Sequence, residues 1–137
     1  MTRKSSLFVI ICVAFMLVVA PLIGYTQVPP VAAGSGPVKG ICVYYSDKFQ
    51  GRPVASGEKY DKAALTAAHN TLPFGTMVKV TNLKNNKSAV VRVNDRYPHG
   101  GSKKKIIEIT SRAAKEIDMI KEGKVEVQME VVEAAKQ

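Results

Sequence analysis

The chain has 137 residues, enough for one domain, and its 46% apolar and 23% charged content excludes a disordered, collagenous or coiled-coil protein. Twenty Lys and Arg against 11 Asp and Glu give a formal charge of +9. The two cysteines, Cys12 and Cys42, form no C-x-x-C, and two histidines without a third clustered ligand exclude a zinc site, so no metal or cofactor is expected.

Residues 1–26 form a distinct segment. Arg3 and Lys4 precede an uninterrupted apolar run from Leu7 to Ile23, and the chain leaves it through small and polar residues. That order is the pattern of a secretory signal, here long for a signal and short of the ~20 residues of a comfortable membrane span. The segment reads as a cleaved signal peptide or as a retained N-terminal membrane anchor. Either way, basic residues before the run keep the start of the chain inside and send the rest across the membrane. Cys12 lies within the apolar run and follows Ile10-Ile11, which does not fit a lipid-attachment site. Residues 27–39, rich in Pro, Gly and Ala, read as a linker. Beyond residue 26 the chain carries 18 basic and 11 acidic residues. Outside the cytoplasm such a surface points to anionic polymers or lipid and not to nucleic acid. Its densest patch, Lys103-Lys104-Lys105, reads as a solvated loop.

From residue 38 onward the chain reads as mainly β. Val38–Tyr45 is a first strand. Met77–Leu83 and Ser88–Asn94 alternate about Lys84-Asn85-Asn86-Lys87, which predicts a hairpin turned by residues that tolerate positive φ. Ile106–Ile109 is a short buried strand. In 124–132, Val125, Val127, Met129 and Val131 alternate with Lys124, Glu126, Gln128 and Glu130. Two short helices are expected: one capped by Asp61 and running through Ala63 to about His69, the other capped by Thr110 or Ser111 and running from Arg112 to about Met119, with Gly123 just beyond. Residues 133–137 read as a frayed tail. Five or six short strands with two small helices suggest a compact barrel.

The polar residues singled out are Glu58, His69, Asp95, Arg96, His99 and Glu108. A Glu–His–Asp set without a placed Ser or Cys nucleophile fits acid–base work on a sugar better than acyl transfer.

Five stretches then carry a resemblance: Gly-Ile-Cys-Val-Tyr-Tyr at 40–45, Ala-Ser-Gly-Glu-Lys-Tyr-Asp at 55–61, Ala-Leu-Thr-Ala-Ala-His-Asn-Thr-Leu-Pro-Phe-Gly-Thr at 64–76, Val-Lys-Val-Thr-Asn-Leu at 78–83 and Val-Val-Arg-Val-Asn-Asp-Arg at 90–96. In this order they resemble the rare lipoprotein A (RlpA) family of bacterial cell-envelope proteins over residues 40–132. The resemblance implies a six-stranded double-psi β-barrel with two short helices. It also implies an endolytic transglycosylase that cleaves peptidoglycan glycan strands, stripped of stem peptides, between N-acetylmuramic acid and N-acetylglucosamine. The muramic 6-hydroxyl attacks its own anomeric carbon, and the product ends in a 1,6-anhydro sugar.

Carried over by motif, Asp95 is the acid/base, His69 orients its carboxylate and Glu58 completes the network. Arg96 supports the structure or meets the lactyl carboxylate. Tyr44 and Tyr45 offer an aromatic face to a sugar, unless one of them packs in the core. Glu108 is a shifted carboxylate partner of Asp95, replacing a family Asp with a side chain longer by one bond of roughly 1.5 Å. Two like charges side by side predict that Asp95→Asn is as stable as the parent or slightly more so.

Other departures are Tyr97 in place of a family Gly, His99 in place of Phe, and Cys42-Val43 within the first motif. The chain ends at the barrel, so septal targeting by the C-terminal SPOR domain common in the family is not expected. The partner expected is therefore the glycan strand, met by a monomer in the periplasm or cell envelope. The other reading is an expansin-like wall protein that binds glycan without cutting it.

Overall fold

The computed structural model describes residues 36–98 and 102–135. The expected signal or anchor, most of the linker and His99 lie outside these residues. Six strands close into one barrel. They are β1 (Val38–Tyr44), β2 (Thr66–Ala68), β3 (Met77–Asn82), β4 (Ser88–Asp95), β5 (Lys105–Ile109) and β6 (Lys124–Glu133), and they pair around the ring in the order β1-β5-β2-β4-β3-β6. The β1–β5 and β2–β4 pairs are parallel and the other four antiparallel.

The core is made of the small and branched side chains that period-two alternation turns inward. Val78, Val80, Val91, Val93, Ile107, Ile109 and Val127 are fully buried. Strand β6 alternates as its sequence predicts, with Val125, Val127 and Met129 buried between exposed Lys124, Glu126 and Glu130. The hairpin also forms where expected, with Asn86 at φ 60°. Buried Asn82 ties that turn to the rest of the barrel: its Nδ2 donates to Ile117 O at 3.0 Å, and its Oδ1 accepts the Lys84 N–H at 3.0 Å.

One expected helix is a strand. Asp61 does cap a turn, accepting the Ala63 N–H at 2.9 Å, but the turn ends with the Ala64 N–H on Asp61 O. Residues 66–68 then run extended as β2, parallel to β4 and antiparallel to β5. Alanine's helix propensity is worth well under 1 kcal/mol per residue. Here it is overridden, because only small side chains fit where Ala67 and Ala68 are fully enclosed between two strands. The second expected helix is present as α1 (Ser111–Glu116), capped by Thr110, whose hydroxyl accepts the Ala113 N–H. It is shorter than its pattern suggests, since Asp118 turns the chain at φ 54°. Its continuation closes with the Gly123 N–H on Met119 O at 3.1 Å. A 3₁₀ turn at Asp47–Phe49, which no pattern announced, carries the chain out of β1.

Two bulges decide where side chains point. Along β2–β4 the register jumps from Ala67↔Val93 to Ala68↔Asp95, leaving Asn94 unpaired. Along β1–β5 it jumps from Ile41↔Lys105 to Cys42↔Ile107, leaving Ile106 unpaired. An extra residue resets the alternation and re-aims the side chains beyond it. The second bulge is accommodated by Gly40: a Cβ there would stand 2.5 Å from Ile106 Cγ2 and 2.9 Å from Lys104 O.

Candidate active site

The bulge at Asn94 brings Asp95 to the face of Arg92, opposite Ala68, and not to the core side that Ala89, Val91 and Val93 occupy. On its other edge Ala68 pairs with Glu108, which in turn lies opposite Val43. Asp95, Ala68 and Glu108 therefore form one row across β4, β2 and β5, and residues opposed in this way share a face. Strand spacing of ~4.8 Å puts the two acidic α-carbons ~10 Å apart, with only an alanine methyl between them. Both acids line one open cavity of about 370 Å³, walled by Tyr45, Phe49, Arg52 and Tyr97.

Asp95 is held by three donors. The Tyr45 hydroxyl reaches Oδ2 at 2.5 Å, while the N–H groups of Ala55 and Arg96 reach Oδ1 at 2.9 and 2.8 Å. Burial, then the Asp95 carboxylate, pushes the Tyr45 phenol up, so Tyr45 stays a protonated donor. Its ring packs 4.7 Å from Tyr60 and edge-on to Phe49. Tyr44, by contrast, packs against the core and donates its hydroxyl to Ile120 O.

Glu58 sits apart from the cleft. It forms a two-pronged pair with Arg92 at 2.9 and 3.0 Å and accepts Asn94 Nδ2 at 2.8 Å. Hydrogen bonds from Arg92 and Asn94 hold its carboxyl below the usual glutamate range. The pairing clamps the 53–59 loop onto β4, the same loop that delivers the Ala55 N–H to Asp95.

The imidazole of His69 does not supply any of the three hydrogen bonds to Asp95. Its Nδ1 accepts the N–H groups of Thr71 and Leu72 at 3.2 and 3.1 Å, which places the neutral ring's proton on Nε2. Burial, then the neighbouring Arg96, holds its pKa below the ordinary 6.5. The link from His69 to Asp95 runs through the backbone, N–H to O at 3.1 Å. Arg96 joins the two segments, with Nη1 on His69 O at 2.8 Å and Asp95 O at 3.2 Å and its guanidinium 4.1 Å over Phe74.

Three participants were not singled out as site residues from the sequence. Tyr97 walls the cleft and donates its hydroxyl to Lys105 O at 3.1 Å. Burial and Glu108 push its phenol up. Lys105, read as part of a solvated patch, is only 18% exposed and pairs with the equally enclosed Glu108 at 3.2 Å. Residues i and i+3 of a flat strand point to opposite faces; the bulge at Ile106 puts these two on the same one. Ala55 contributes a backbone donor, which no residue pattern can show. Cys42 is fully buried, and burial, then Glu108, pushes its thiol far up, which makes it inert. Among the described residues no cluster of His, Cys, Asp and Glu could hold a metal ion.

A closed six-stranded ring with two parallel pairs in this order is the architecture of double-psi β-barrel proteins. Residues 38–129 match the lytic transglycolase family, and the chain belongs to it. It is 45% identical over 109 residues to the endolytic peptidoglycan transglycosylase RlpA of Campylobacter jejuni, covering 80% of this chain and 39% of that protein. The protein of that name from Haemophilus influenzae is 45% identical over 98 residues, covering 72% and 33%. The chain thus spans 33–39% of the length of these relatives. Among solved structures the barrel resembles an expansin of Clavibacter michiganensis, with a TM-score of 0.57 at 17% identity, covering 74% of this chain and 53% of that one. It also resembles the Streptomyces papain inhibitor, with a TM-score of 0.56 at 19% identity, covering 70% and 94%. At these identities the likeness is one of fold.

Proposed function

We propose that this protein is an exported endolytic peptidoglycan transglycosylase, acting as a monomer in the cell envelope after residues 1–26 have served as signal or anchor. One observation carries the reading: two bulges bring Asp95 and Glu108 to opposite sides of Ala68 in a single open cleft with tyrosine walls. Such a cleft admits a sugar ring between two carboxyl groups, and the names of the relatives supply the polymer.

Asp95 is the acid/base. Asp95 acts from its protonated form: Oδ2 carries the proton while the Ala55 and Arg96 N–H groups stay on Oδ1. The carboxyl gives that proton to the glycosidic oxygen as the bond from the muramic anomeric carbon to that oxygen breaks. The muramic 6-hydroxyl then bonds to the anomeric carbon and returns its proton to the Asp95 carboxylate. The product is a 1,6-anhydro end, and no water is consumed. Glu108 faces the positive charge that develops at the anomeric carbon. Tyr45 and the N–H groups of Ala55 and Arg96 keep the Asp95 carboxylate in place. Glu58 acts through Ala55, and is a positioning residue. His69 offers its Nε2–H to the substrate next to the cleft.

The test is mass spectrometry of denuded sacculi after incubation with the purified protein. Anhydro-muramyl ends are expected. Reducing ends would make it a hydrolase, and intact glycan retained on the protein would favour the expansin-like binding reading.

A further inference from the structure

On the far side of Tyr97 from Asp95 lies a second open cavity, of about 340 Å³. Its floor is apolar, built from Val38, Leu72, Ile106, Met129 and Val131 of β1, β5, β6 and the loop after β2. His69 and Lys105 also line it, and among the described residues no carboxylate does, whereas both site carboxylates line the first cavity. We propose that Lys105 reads the free carboxylate of the muramic lactyl group, and so makes the site selective for glycan stripped of its stem peptides. This rests on the peptidoglycan reading above.

The geometry supports it in three ways. An ammonium has three N–H donors and no acceptor. One of those of Lys105 is spent on Glu108 at 3.2 Å, and its nitrogen stands 4.3 Å over the Tyr97 ring. Among the described residues it has no other hydrogen-bond partner, so donors remain for an incoming anion. Secondly, the charge is already largely removed from water and fixed by the bulge at Ile106, so little ordering is left for binding to impose. Thirdly, the cavity suits this particular sugar. N-acetylmuramic acid carries an acetamido methyl and a lactyl methyl for the apolar floor, and it is the one sugar of the strand with a carboxylate.

The other cations near the cleft are less suited. Arg96 uses Nη1 on two backbone oxygens, lies over Phe74 and lines the first cavity, not the second. Arg52 is exposed and lies over Phe49 at 5.5 Å, across the first cavity. A muramic carboxylate on Lys105 would sit one ammonium away from Glu108, which lines the first cavity, so the same sugar reaches from the second cavity toward the two acids. An attached stem peptide turns the lactyl carboxylate into an uncharged amide, and Lys105 then has no anion to meet.

The test measures binding calorimetrically on an Asp95→Asn background, so that no strand is cut. The ligands are glycan oligomers with free lactyl carboxylates, the same oligomers as lactyl methylamides, and a chitin oligomer that lacks the lactyl group. The free acid is expected to bind at least ~10-fold more tightly than the methylamide, the lower end for a hydrogen bond to a charged group. Lys105→Gln should bind both at the methylamide level, while Lys105→Arg keeps most of the preference. Equal binding of acid and methylamide by the Lys105 protein overturns the inference, as does a Lys105→Gln variant that still prefers the acid. Should Lys105→Gln not fold, loss of the acid preference in the Lys105 protein as salt is raised supports the inference, and a salt-independent preference overturns it. Failure to bind any of the three ligands refutes the peptidoglycan reading itself.

Discussion

Replacing Asp95 by asparagine separates chemistry from structure, because the two backbone donors to Oδ1 can be kept. An amide oxygen still accepts the N–H groups of Ala55 and Arg96, and the new NH₂ group faces the Tyr45 hydroxyl, which turns from donor to acceptor. No proton can be delivered or taken at neutral pH, so cutting of denuded glycan should fall at least ~100-fold, the low end for acid–base catalysis. Stability should fall as well. Each hydrogen bond to a charged group is worth about 1 kcal/mol more than its neutral counterpart. With three such bonds at a partly open site, roughly 1–2 kcal/mol is lost, or ~5–15 °C in Tm for a domain of this size. This reverses the sign expected from two neighbouring like charges, because the three donors outweigh a repulsion acting across the width of Ala68. Calorimetry and product analysis read the two effects separately. Wild-type cutting by Asp95→Asn would refute the acid/base role, and an unchanged or higher Tm would refute the donor account.

Glu58→Gln should weaken the Arg92 clamp by roughly 0.5–1 kcal/mol, since both side chains are well over a third exposed. It should lower turnover less than Asp95→Asn does while leaving glycan affinity unchanged, which steady-state kinetics would show. Gly40→Ala should cost about 1–3 kcal/mol by overpacking; a wild-type melting temperature would refute the close approach of β1 to the Ile106 bulge. Acid should destabilise the fold in two stages. His69 and Glu58 both have lowered pKa values in the fold, so each contributes fully above its unfolded value and loses that contribution as pH falls through its folded one. The first loss therefore begins below about pH 6.5 and the second below about pH 4.5. Melting curves from pH 8 to 3 should show both, and His69→Gln should remove the upper stage alone.

What could be read from the chain depended on how local the cause was. The alternation in β6 and the asparagine turn before β4 are determined by neighbouring residues, and both formed as the pattern implied. Strand β2 was hidden because three alanine and threonine residues say more about helix propensity than about the two strands that enclose them. The two carboxylates that line the cleft, Asp95 and Glu108, were both singled out in the sequence, yet their arrangement was not legible. Nothing in Val93-Asn94-Asp95 marks Asn94 as the unpaired residue; its place is set by the register with β2, almost thirty positions earlier. Lys105 was obscured in the same way. Three consecutive lysines look like a solvated loop, and only the register with β1 distinguishes the third from the other two.

The pairing of β1 has a consequence for how the protein comes into being. This strand bonds to β5 and to β6, and its partners lie more than sixty positions further along the chain. As the ribosome makes the protein, the first strand stays unpaired on both edges until β5 has emerged, and its other edge waits for β6. Glu108 and Lys105 take their register from β1, so no intermediate of synthesis that stops short of β5 contains an assembled cleft. The folding barrier is dominated by the closure of these long loops, which places the barrel among the slower folders for its size. A cell making this protein thus holds a chain with no assembled site until β5 has been made.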